Sequence, residues 1–291
     1  MSAGTRAKSL VVGVVGAGRV GAVLGAVLDA AGHHVVATAA VSAASRERAR
    51  RLLPRAEILP ADEVARAASD LLLLAVPDDA LGGVVAGLSA TGALSAGTVV
   101  AHTSGAHGLA VLGEVDGLAL HPAMTFTGAD ADLDRLPGIA WGVTARDRAF
   151  AARLVADLGG IPEWVAEDAR PLYHAALAHG ANHLVTLVNE AADLLRAAGV
   201  RDPAAVLSPL LNAALSNALS LGDAALTGPV SRGDAGTVRK HLDRLTPASA
   251  PAYLALARRT ADRAIAAGRL RPQDAALLLD VLADATVGSP S

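Results

Sequence analysis

The first half of the chain alternates short apolar runs with segments in which apolar residues recur at helical spacing. The apolar runs predict six strands, at residues 10–15, 34–39, 70–77, 98–103, 118–122 and 138–144. The segments between them predict helices near residues 18–31, 45–52, 78–89 and 147–158. Strands that alternate with helices in this way are typical of a parallel sheet with helices on both faces.

The pattern changes after Pro162. Residues 173–200 form one long alanine-rich segment with helical periodicity, and the later segments also have the pattern of helices. We therefore predict two domains: an α/β domain over residues 1–167 and an all-α domain over residues 168–291.

Composition and charge exclude several classes of partner. Hydrophobic residues make up 52% of the chain, aromatic residues 2%, and the net charge is −3. This charge gives no attraction to nucleic acid or a membrane surface, and the few aromatic rings provide no platform for stacked bases. Without cysteine, the chain has neither disulfides nor thiolate metal ligands, and we see no HExxH motif or carboxylate cluster that predicts a metal site.

The N-terminal residues do not predict export or membrane insertion. Residues 1–8 are too short and polar for a secretory signal. The apolar stretch 10–31 contains Arg19, a charge that is costly in lipid. We therefore expect a soluble cytoplasmic protein that does not bind membranes or nucleic acid.

The turn after the first apolar run contains Gly16, Gly18 and Gly21 in the order G-x-G-x-x-G. A strand before this spacing and a helix after it form the context that marks a dinucleotide site. The first glycine allows a tight turn, the second lets the backbone approach a pyrophosphate, and the third lets the helix pack on the strand. We predict a Rossmann domain whose loop binds the cofactor through Gly16, Gly18, Arg19, Val20 and Gly21. The alternative is a turn with a structural role only.

The residues after the second strand indicate which dinucleotide binds. NAD sites usually carry an acid roughly 20 residues beyond the first glycine, but residues 36–45 contain none. The chain instead supplies Ser42, Ser45, Arg46 and Arg48, whose hydroxyl and guanidinium donors suit a 2′-phosphate. This favours NADP(H), although the two arginines can also serve only to solubilise the second helix.

The apolar run 70–77 ends in Val76 and Pro77. Ligands of parallel sheets bind at the carboxyl ends of the strands, so we expect the backbone of these two residues beside the nicotinamide half of the cofactor. Asp78 and Asp79 follow, and we expect them to begin a helix rather than act as catalytic acids.

Six segments in chain order resemble a known family: GAGRVG, LLLLAVPDDAL, TSGAHG, LHPAMTF, YHAALAHGANHL and LTGPVSRGD. They are similar to Rossmann-like oxidoreductases with a helical C-terminal domain of unknown function. The wider superfamily includes 6-phosphogluconate dehydrogenase, pyrroline-5-carboxylate reductase, ketopantoate reductase and prephenate dehydrogenase. The resemblance covers most of the chain and implies an NADP-linked reductase, often dimeric, with its active site between the domains. It implies no particular substrate.

Two polar residues follow predicted strands and are candidates for catalysis. Ser104 follows the fourth strand, where its hydroxyl can bind a substrate carbonyl or carboxylate, or can instead stabilise a turn. His121 precedes a proline, and a similar His-Pro in prephenate dehydrogenases holds the reacting hydroxyl. A histidine here can exchange a proton with the substrate near neutral pH, or it can only pin a loop through a backbone bond.

The long helical segment carries His179, Asn182, Thr186 and Asn189 at spacings that place them on one face of an α-helix. A solvated face normally carries Lys, Arg and Glu. Side chains that form hydrogen bonds without a permanent charge suit the wall of a partly buried cleft.

Several superfamily members carry a catalytic lysine on the matching helix, often followed by an asparagine. The only lysines of this chain are Lys8 and Lys240, so it departs from that pattern. The lysine mechanism is therefore either absent or replaced, with His179 or His174 as the candidate replacement, and we expect Asn182 to orient the substrate. The alternative for either histidine is packing or a dimer contact.

Residues 226–242 add a further candidate. Arg232 can bind a substrate carboxylate, or it can pair with Asp234, which we predict to be a helix N-cap.

These observations predict an NADPH-dependent reductase that transfers hydride to the carbonyl or imine carbon of a small anionic metabolite, with the 2-keto acid ketopantoate as the first compound to test. The helical domain would bind substrate and form a homodimer. The alternative is a non-catalytic NADP(H)-binding sensor or regulatory protein.

Overall fold

The computed structural model describes residues 9–284, in which eight strands form one sheet. The strands are β1 (Val11–Val15), β2 (His34–Ala39), β3 (Glu57–Ile58), β4 (Leu71–Leu74), β5 (Val99–His102), β6 (Gly117–Pro122), β7 (Ala140–Ala145) and β8 (Ile161–Trp164). Their order across the sheet is β3-β2-β1-β4-β5-β6-β7-β8. Neighbours are parallel except β6 and β7, which are antiparallel.

Thirteen α-helices lie within the described part of the chain. They are α1 (Arg19–Ala30), α2 (Ala43–Leu52), α3 (Ala61–Ala67), α4 (Asp78–Ala90), α5 (Ala131–Arg135), α6 (Arg148–Asp157), α7 (Arg170–Leu177), α8 (His183–Ala197), α9 (Pro203–Leu221), α10 (Gly228–Ser231), α11 (Ala235–Leu242), α12 (Ala250–Ala266) and α13 (Pro272–Asp284).

The structure confirms the predicted fold class, a Rossmann-type sheet followed by helices, and adds elements that the sequence pattern does not reveal. All six predicted strands are present, and β3 and β8 are additional. β3 has only two residues, too few for any periodicity to be visible. The predicted parallel sheet is present with one exception, because β7 runs antiparallel to β6.

The strands near the centre of the sheet are apolar without interruption because both of their faces are buried. In β4, Leu71 and Leu73 pack in one core with α1 and α6, while Leu72 and Leu74 pack in another with α3 and α4. This alternation follows from the two-residue period of a strand. Much of the stretch 10–31 is likewise buried inside this sheet and its helices.

The chain divides into two compact units, the first ending at Gly180 and the second beginning at Ala181. In the second unit, α10 to α13 surround a small core that includes Val238, Ala261 and Leu278. The functional boundary predicted between residues 167 and 168 stays a prediction.

The predicted long helix consists of α7, a π-helical turn over Ala178–Asn182, and α8. A π turn holds one extra residue, so it rotates the following side chains relative to an uninterrupted α-helix. The face predicted for His179, Asn182, Thr186 and Asn189 therefore does not continue unbroken through the turn.

One helical stretch in the described residues, Pro203–Ser231, is long and apolar enough to cross a membrane when judged by length and composition. It includes α9, in which Pro203 and Leu207 are the buried residues.

Two helical glycines give opposite predictions for substitution by alanine. A Cβ at Gly21 in α1 would collide with the Gly16 carbonyl oxygen, whereas a Cβ at Gly87 in α4 would meet nothing within 4 Å. Gly21→Ala should lower the free energy of unfolding by about 1–3 kcal/mol through overpacking. Gly87→Ala should raise it by about 0.5–1 kcal/mol, because alanine loses less backbone entropy in a helix. Urea unfolding curves measure both values, and equal shifts of the same sign would contradict the packing described for α1.

Candidate functional site

A groove of about 870 Å³ lies at the carboxyl ends of β1, β2 and β4. Its walls come from the glycine-containing turn after β1, the residues after β2, and the residues after β4. β1 is the point where the order of the strands reverses, since β2 lies on one side of it and β4 on the other. Open α/β sheets bind their ligands in the crevice at such a point.

The turn between β1 and α1 is shaped by its three glycines. Gly16 has a φ of +101°, which L side chains rarely adopt, and a Cβ there would lie 2.5 Å from the Ala75 carbonyl oxygen. A Cβ at Gly18 would meet no protein atom within 4 Å, so the backbone at Gly18 is open to the groove. Gly21 faces the turn itself. Gly16 and Gly21 thus have the turn and packing roles that the spacing predicts, and the role of Gly18 toward a pyrophosphate stays a prediction.

The first turn of α1 points its backbone N–H groups out of the helix end. Gly18 is the N-cap residue and has no side chain to satisfy them, and the first turn holds no acidic residue. Such N–H groups, with the helix dipole, favour an anion. Arg19, Val20 and Gly21 form this turn and do not line the groove wall, so their contacts with a cofactor stay a prediction.

The residues after β2 form the other end of the groove. The Ser45 backbone N–H donates to Ser42 Oγ at 3.1 Å, so Ser42 caps α2 at its N-terminus. Arg46 donates through Nε to the Ala40 carbonyl at 3.2 Å and is the one charged residue among those that line the groove. Arg48 instead donates to the Ala17 carbonyl at 3.3 Å and braces the glycine turn.

Val76 and Pro77 line the groove at the end of β4, together with Gly16, Gly18, Ser42, Ser45 and Arg46 of the predicted cofactor residues. Asp78 and Asp79 lie in the first turn of α4, as predicted.

A second polar cluster lies at the carboxyl end of β6. His121 Nδ1 and the Tyr173 hydroxyl are 3.0 Å apart, and their rings meet edge to face. His174 lies beside them, its ring centroid 6.2 Å from that of His121. The three side chains are half-buried, so they remain accessible to a small molecule.

Two glycines provide the space for this cluster. Gly142 in β7 pairs with His121 in β6, and a Cβ there would lie 2.5 Å from the Tyr173 hydroxyl oxygen. A Cβ at Gly105 would lie 2.8 Å from the His174 ring. Any other residue at these positions would displace the side chains from α7.

Arg170 links two neighbouring strands, β6 and β7, to the loop after β5. Its side chain is fully buried, and its guanidinium donates to the carbonyl groups of Ser104, Ala119 and Gly142 at 3.0–3.3 Å. Nε donates to the Thr144 hydroxyl at 2.8 Å. A buried cation is tolerated only when its donors are satisfied in this way. Arg170 therefore links β6 and β7 to the loop after β5.

The loop after β5 is held from inside by His102. The Ser104 N–H donates to His102 Nδ1 at 3.3 Å, and His102 Nε2 lies 2.9 Å from the Gly108 carbonyl. Only the neutral imidazole with its proton on Nε2 satisfies both bonds. On the exposed side of the same loop, the Glu167 carboxylate accepts hydrogen bonds from the N–H groups of Leu109 and Ala110 at 2.7 and 2.9 Å.

Ser104 is buried in this loop. Its Oγ accepts the N–H groups of Ala106 at 3.2 Å and His107 at 3.0 Å. These bonds are typical of a serine that stabilises a turn, which is the alternative role that the sequence leaves open. The Ser104 hydroxyl hydrogen is not used in either bond and can still be donated. A catalytic role for Ser104 stays a prediction.

The surroundings of His121 and His102 favour the neutral form of each imidazole. Burial first, and then the neighbouring His174 and Arg170, lower the pKa of His121 to about 4, and Asp78 offsets only a smaller part of this effect. Burial likewise lowers the pKa of His102 to about 4. Burial raises the pKa of the Tyr173 hydroxyl above its usual value. With this pKa His121 is neutral near pH 7, and its catalytic role stays a prediction.

The remaining predicted site residues lie elsewhere in the chain. His179 and Asn182 lie within the π turn and are exposed, and such turns are frequent at functional sites. Arg232 is an exposed residue of the second unit that follows α10, and Asp234 caps α11 by accepting the Thr237 N–H. Their proposed roles toward a substrate stay predictions.

Sequence reasoning missed Tyr173, Arg170, His102 and Glu167. The first two depend on contacts between β6, β7 and α7, which no local pattern encodes. His102 could have been found from the sequence, because it ends a buried apolar run, where a polar side chain needs a hydrogen-bond partner.

Two family models match the chain. Residues 1–122 match the Rossmann-like domain, and residues 139–260 match DUF2520, a domain of unknown function. A comparison with curated protein sequences finds no match. The two matches confirm the predicted succession of a Rossmann-like domain and a helical domain of unknown function.

Solved structures share the fold. A Bacteroides fragilis protein assigned as an NADP oxidoreductase is 21% identical, with a TM-score of 0.75, over 87% of this chain and 98% of its own. The imine reductase of Myxococcus stipitatus in complex with NADP+ is 17% identical, with a TM-score of 0.64, over 94% and 99%. Pyrroline carboxylate reductase of Plasmodium falciparum with NADP bound is 12% identical, with a TM-score of 0.55, over 92% and 98%. At these identities the likeness establishes the fold alone.

The buried His102 predicts a specific dependence of stability on pH. Its pKa is lower in the folded protein than the ordinary value of 6.5, so the unfolded chain binds the proton more readily. Stability should be complete above pH 6.5 and should fall as the pH decreases toward 4, by at most about 1.4 kcal/mol per pH unit for each such histidine. His102→Gln should flatten the slope measured by urea unfolding.

The control is His34→Gln, at an exposed position at the start of β2, which should leave the slope unchanged. A wild-type profile that is level between pH 6.5 and 4 would contradict the neutral state assigned to His102.

Proposed function

The chain combines a Rossmann-like domain with a DUF2520 domain, and on that premise we propose that it is an NADPH-dependent oxidoreductase. The observation that carries the proposal is the groove at the carboxyl ends of β1, β2 and β4, whose one charged lining residue is Arg46. Neighbouring folds that contain NADP support the same assignment.

The residues present fit this cofactor. The open backbone at Gly18 and the N-terminus of α1 would hold the pyrophosphate. Arg46 and the hydroxyls of Ser42 and Ser45 would hold the 2′-phosphate, because a guanidinium can bind phosphate through two parallel hydrogen bonds. Val76 and Pro77 would border the nicotinamide half.

The bound cofactor would supply a hydride. The protein would then position a carbonyl or imine carbon and stabilise the heteroatom that gains electrons. The side chains available for this in the first unit are His121, Tyr173 and His174, with Ser104 in the adjoining loop. We propose that Asn182, His179 and Arg232 also serve the substrate. None of the described contacts favours ketopantoate over other small keto acids, so the proposal names the class only.

Arg46 provides the test of cofactor choice. Arg46→Ala should weaken NADPH binding by roughly tenfold to 100-fold, the value of one charge-assisted hydrogen-bond pair. NADH, which lacks the 2′-phosphate, should bind the variant and the wild type alike. Fluorescence titration of each nucleotide measures both dissociation constants.

The matched control is Arg50→Ala, which removes an exposed arginine of the same helix that pairs with Glu47. It should leave both affinities unchanged. Tighter binding of NADH than of NADPH by the wild type would refute the assignment of NADP(H), and NADPH binding without turnover of any carbonyl or imine would favour a cofactor sensor.

We further propose that the protein is a cytoplasmic homodimer in which α8 and α9 form the contact. Eight of the sixteen large exposed hydrophobic side chains in the described residues lie on these two helices: Leu184, Val185, Leu187, Val206, Leu210, Leu215, Leu219 and Leu221. Permanent dimers cover surfaces of this composition. α9 also carries Asn212 and Asn217, whose amides are costly in lipid but tolerated against a second protein surface.

Leu210→Asp should convert the dimer into a monomer, because it places a charge in the apolar contact. Leu277→Asp on α13 is the control, since Leu277 is 64% exposed and Leu210 is 62% exposed. Light scattering should give twice the chain mass of 29.0 kDa for the wild type and the control, and 29.0 kDa for Leu210→Asp. A wild type that is monomeric, or soluble only in detergent, would contradict this proposal.

A further inference from the structure

We infer that the site reduces a carbonyl group rather than a protonated imine, and that Tyr173, held by His121, donates the proton to the carbonyl oxygen. The inference rests on the proposed reductase function and narrows its substrate class. It depends on the arrangement of hydroxyl, imidazole and guanidinium groups at the carboxyl ends of β5 and β6.

The position of Tyr173 is determined by the fold. Its hydroxyl lies 3.0 Å from His121 Nδ1, and the missing side chain at Gly142 leaves the space that the phenol ring fills. Tyr173 is half-buried, and its hydroxyl end lies against Gly142 of β7, beside His121. A buried tyrosine hydroxyl usually has a hydrogen-bond partner, and here the partner is an imidazole at the carboxyl end of β6.

The hydrogen bond to His121 prepares the hydroxyl for donation. When the neutral imidazole carries its proton on Nδ1, that N–H donates to the phenol oxygen, and the phenol O–H is directed to another acceptor. The same N–H stabilises the phenolate left behind when the proton departs. His121 is thus a positioning residue for Tyr173, a role that does not require it to be charged.

The charges around the cluster select the substrate. Arg170 lies below the Tyr173 ring, its guanidinium carbon 5.9 Å from the ring centroid. A fixed cation at this distance opposes a positively charged iminium group and stabilises the negative charge that a carbonyl oxygen gains.

Carboxylates and imidazoles are also near, and they do not reverse this preference. Asp78 at the start of α4 acts on His121 and His102, but its effect on His121 is smaller than that of Arg170. Glu167 is bound to the backbone N–H groups of Leu109 and Ala110. His174 on α7 and His107 in the loop after β5 act on the buried histidines in the same direction as Arg170.

The step balances as a two-electron reduction. The carbonyl carbon accepts hydride from the dihydronicotinamide, and the carbonyl π pair moves to oxygen. That oxygen takes the proton of the Tyr173 hydroxyl, which forms the alcohol and a phenolate. Solvent then reprotonates the phenolate. A protonated imine needs no such proton, since hydride addition alone gives the neutral amine, whereas a neutral imine would take the phenol proton on nitrogen as a carbonyl takes it on oxygen. The preference for a carbonyl over a protonated imine therefore depends on the charge of Arg170 beside the Tyr173 ring.

The first experiment compares two matched substrates on the wild-type protein. We would measure NADPH oxidation with 2-oxopentanoate and with 1-pyrroline-2-carboxylate, and likewise with cyclopentanone and 1-pyrroline. In each pair the carbonyl compound should have the higher kcat/KM, by a factor on the order of 100. Equal rates, a preference for the imine, or no carbonyl turnover would overturn the inference.

The second experiment removes the donor. Tyr173→Phe should lower kcat for the carbonyl substrate by roughly 100-fold to 10,000-fold, the usual contribution of a general acid. NADPH affinity and the melting temperature should stay close to the wild-type values. Tyr253→Phe is the matched control, because Tyr253 in the second unit makes the same type of bond to His241 Nδ1, at 2.9 Å. An unchanged kcat in Tyr173→Phe would refute the role of Tyr173.

These outcomes separate the two proposals. Failure of the wild type to bind NADPH would refute the oxidoreductase itself. NADPH binding with turnover of the imines alone would refute only the substrate class and the proton donor inferred here.

Discussion

The close approach of α1 to the turn that follows β1 is the contact on which the rest of the account depends. It is possible because Gly16 adopts a positive φ and Gly21 has no side chain to separate the helix from the turn. The contact directs the N-terminus of α1 at the groove and leaves the backbone of Gly18 open. The free N–H groups at the start of α1, where the helix dipole is positive, are thereby brought to the same edge of the sheet as the hydrogen-bond donors after β2.

The chemistry proposed beside that groove depends on a second constraint, the burial of Arg170. Its guanidinium joins Ala119 and Gly142, on neighbouring strands, to the loop that carries Ser104. The same charge acts on the histidines and favours their neutral forms. One residue therefore links the two strands to the loop and adds to the effect of burial on the histidines.

The sequence predicts those features that are encoded locally. The glycine spacing, the donors after β2 and the residues after β4 each lie within one short segment, and Gly16, Gly18, Arg46 and Pro77 line one groove as expected. The pairing of His121 with Tyr173 joins residues from β6 and α7 and needs Gly142 in register with His121. The spacing of apolar residues along the chain carries no information on a contact between such distant residues, so this pairing could not be predicted.

The same distinction explains the errors in the fold. β3 is too short to show alternation, and the antiparallel β7 follows from how the chain returns after β6, not from its composition. The π turn at Ala178–Asn182 interrupts a segment whose sequence is uniformly helical in pattern. Its extra residue changes which side chains share a face, so an argument that assumes 3.6 residues per turn fails there.

The most direct measurement is a crystal structure of the protein soaked with NADP+. The account predicts density for the pyrophosphate against Gly18 and the first turn of α1, with the 2′-phosphate in contact with Arg46. Density for the nucleotide at any other place, or an empty groove at a saturating concentration, would contradict it.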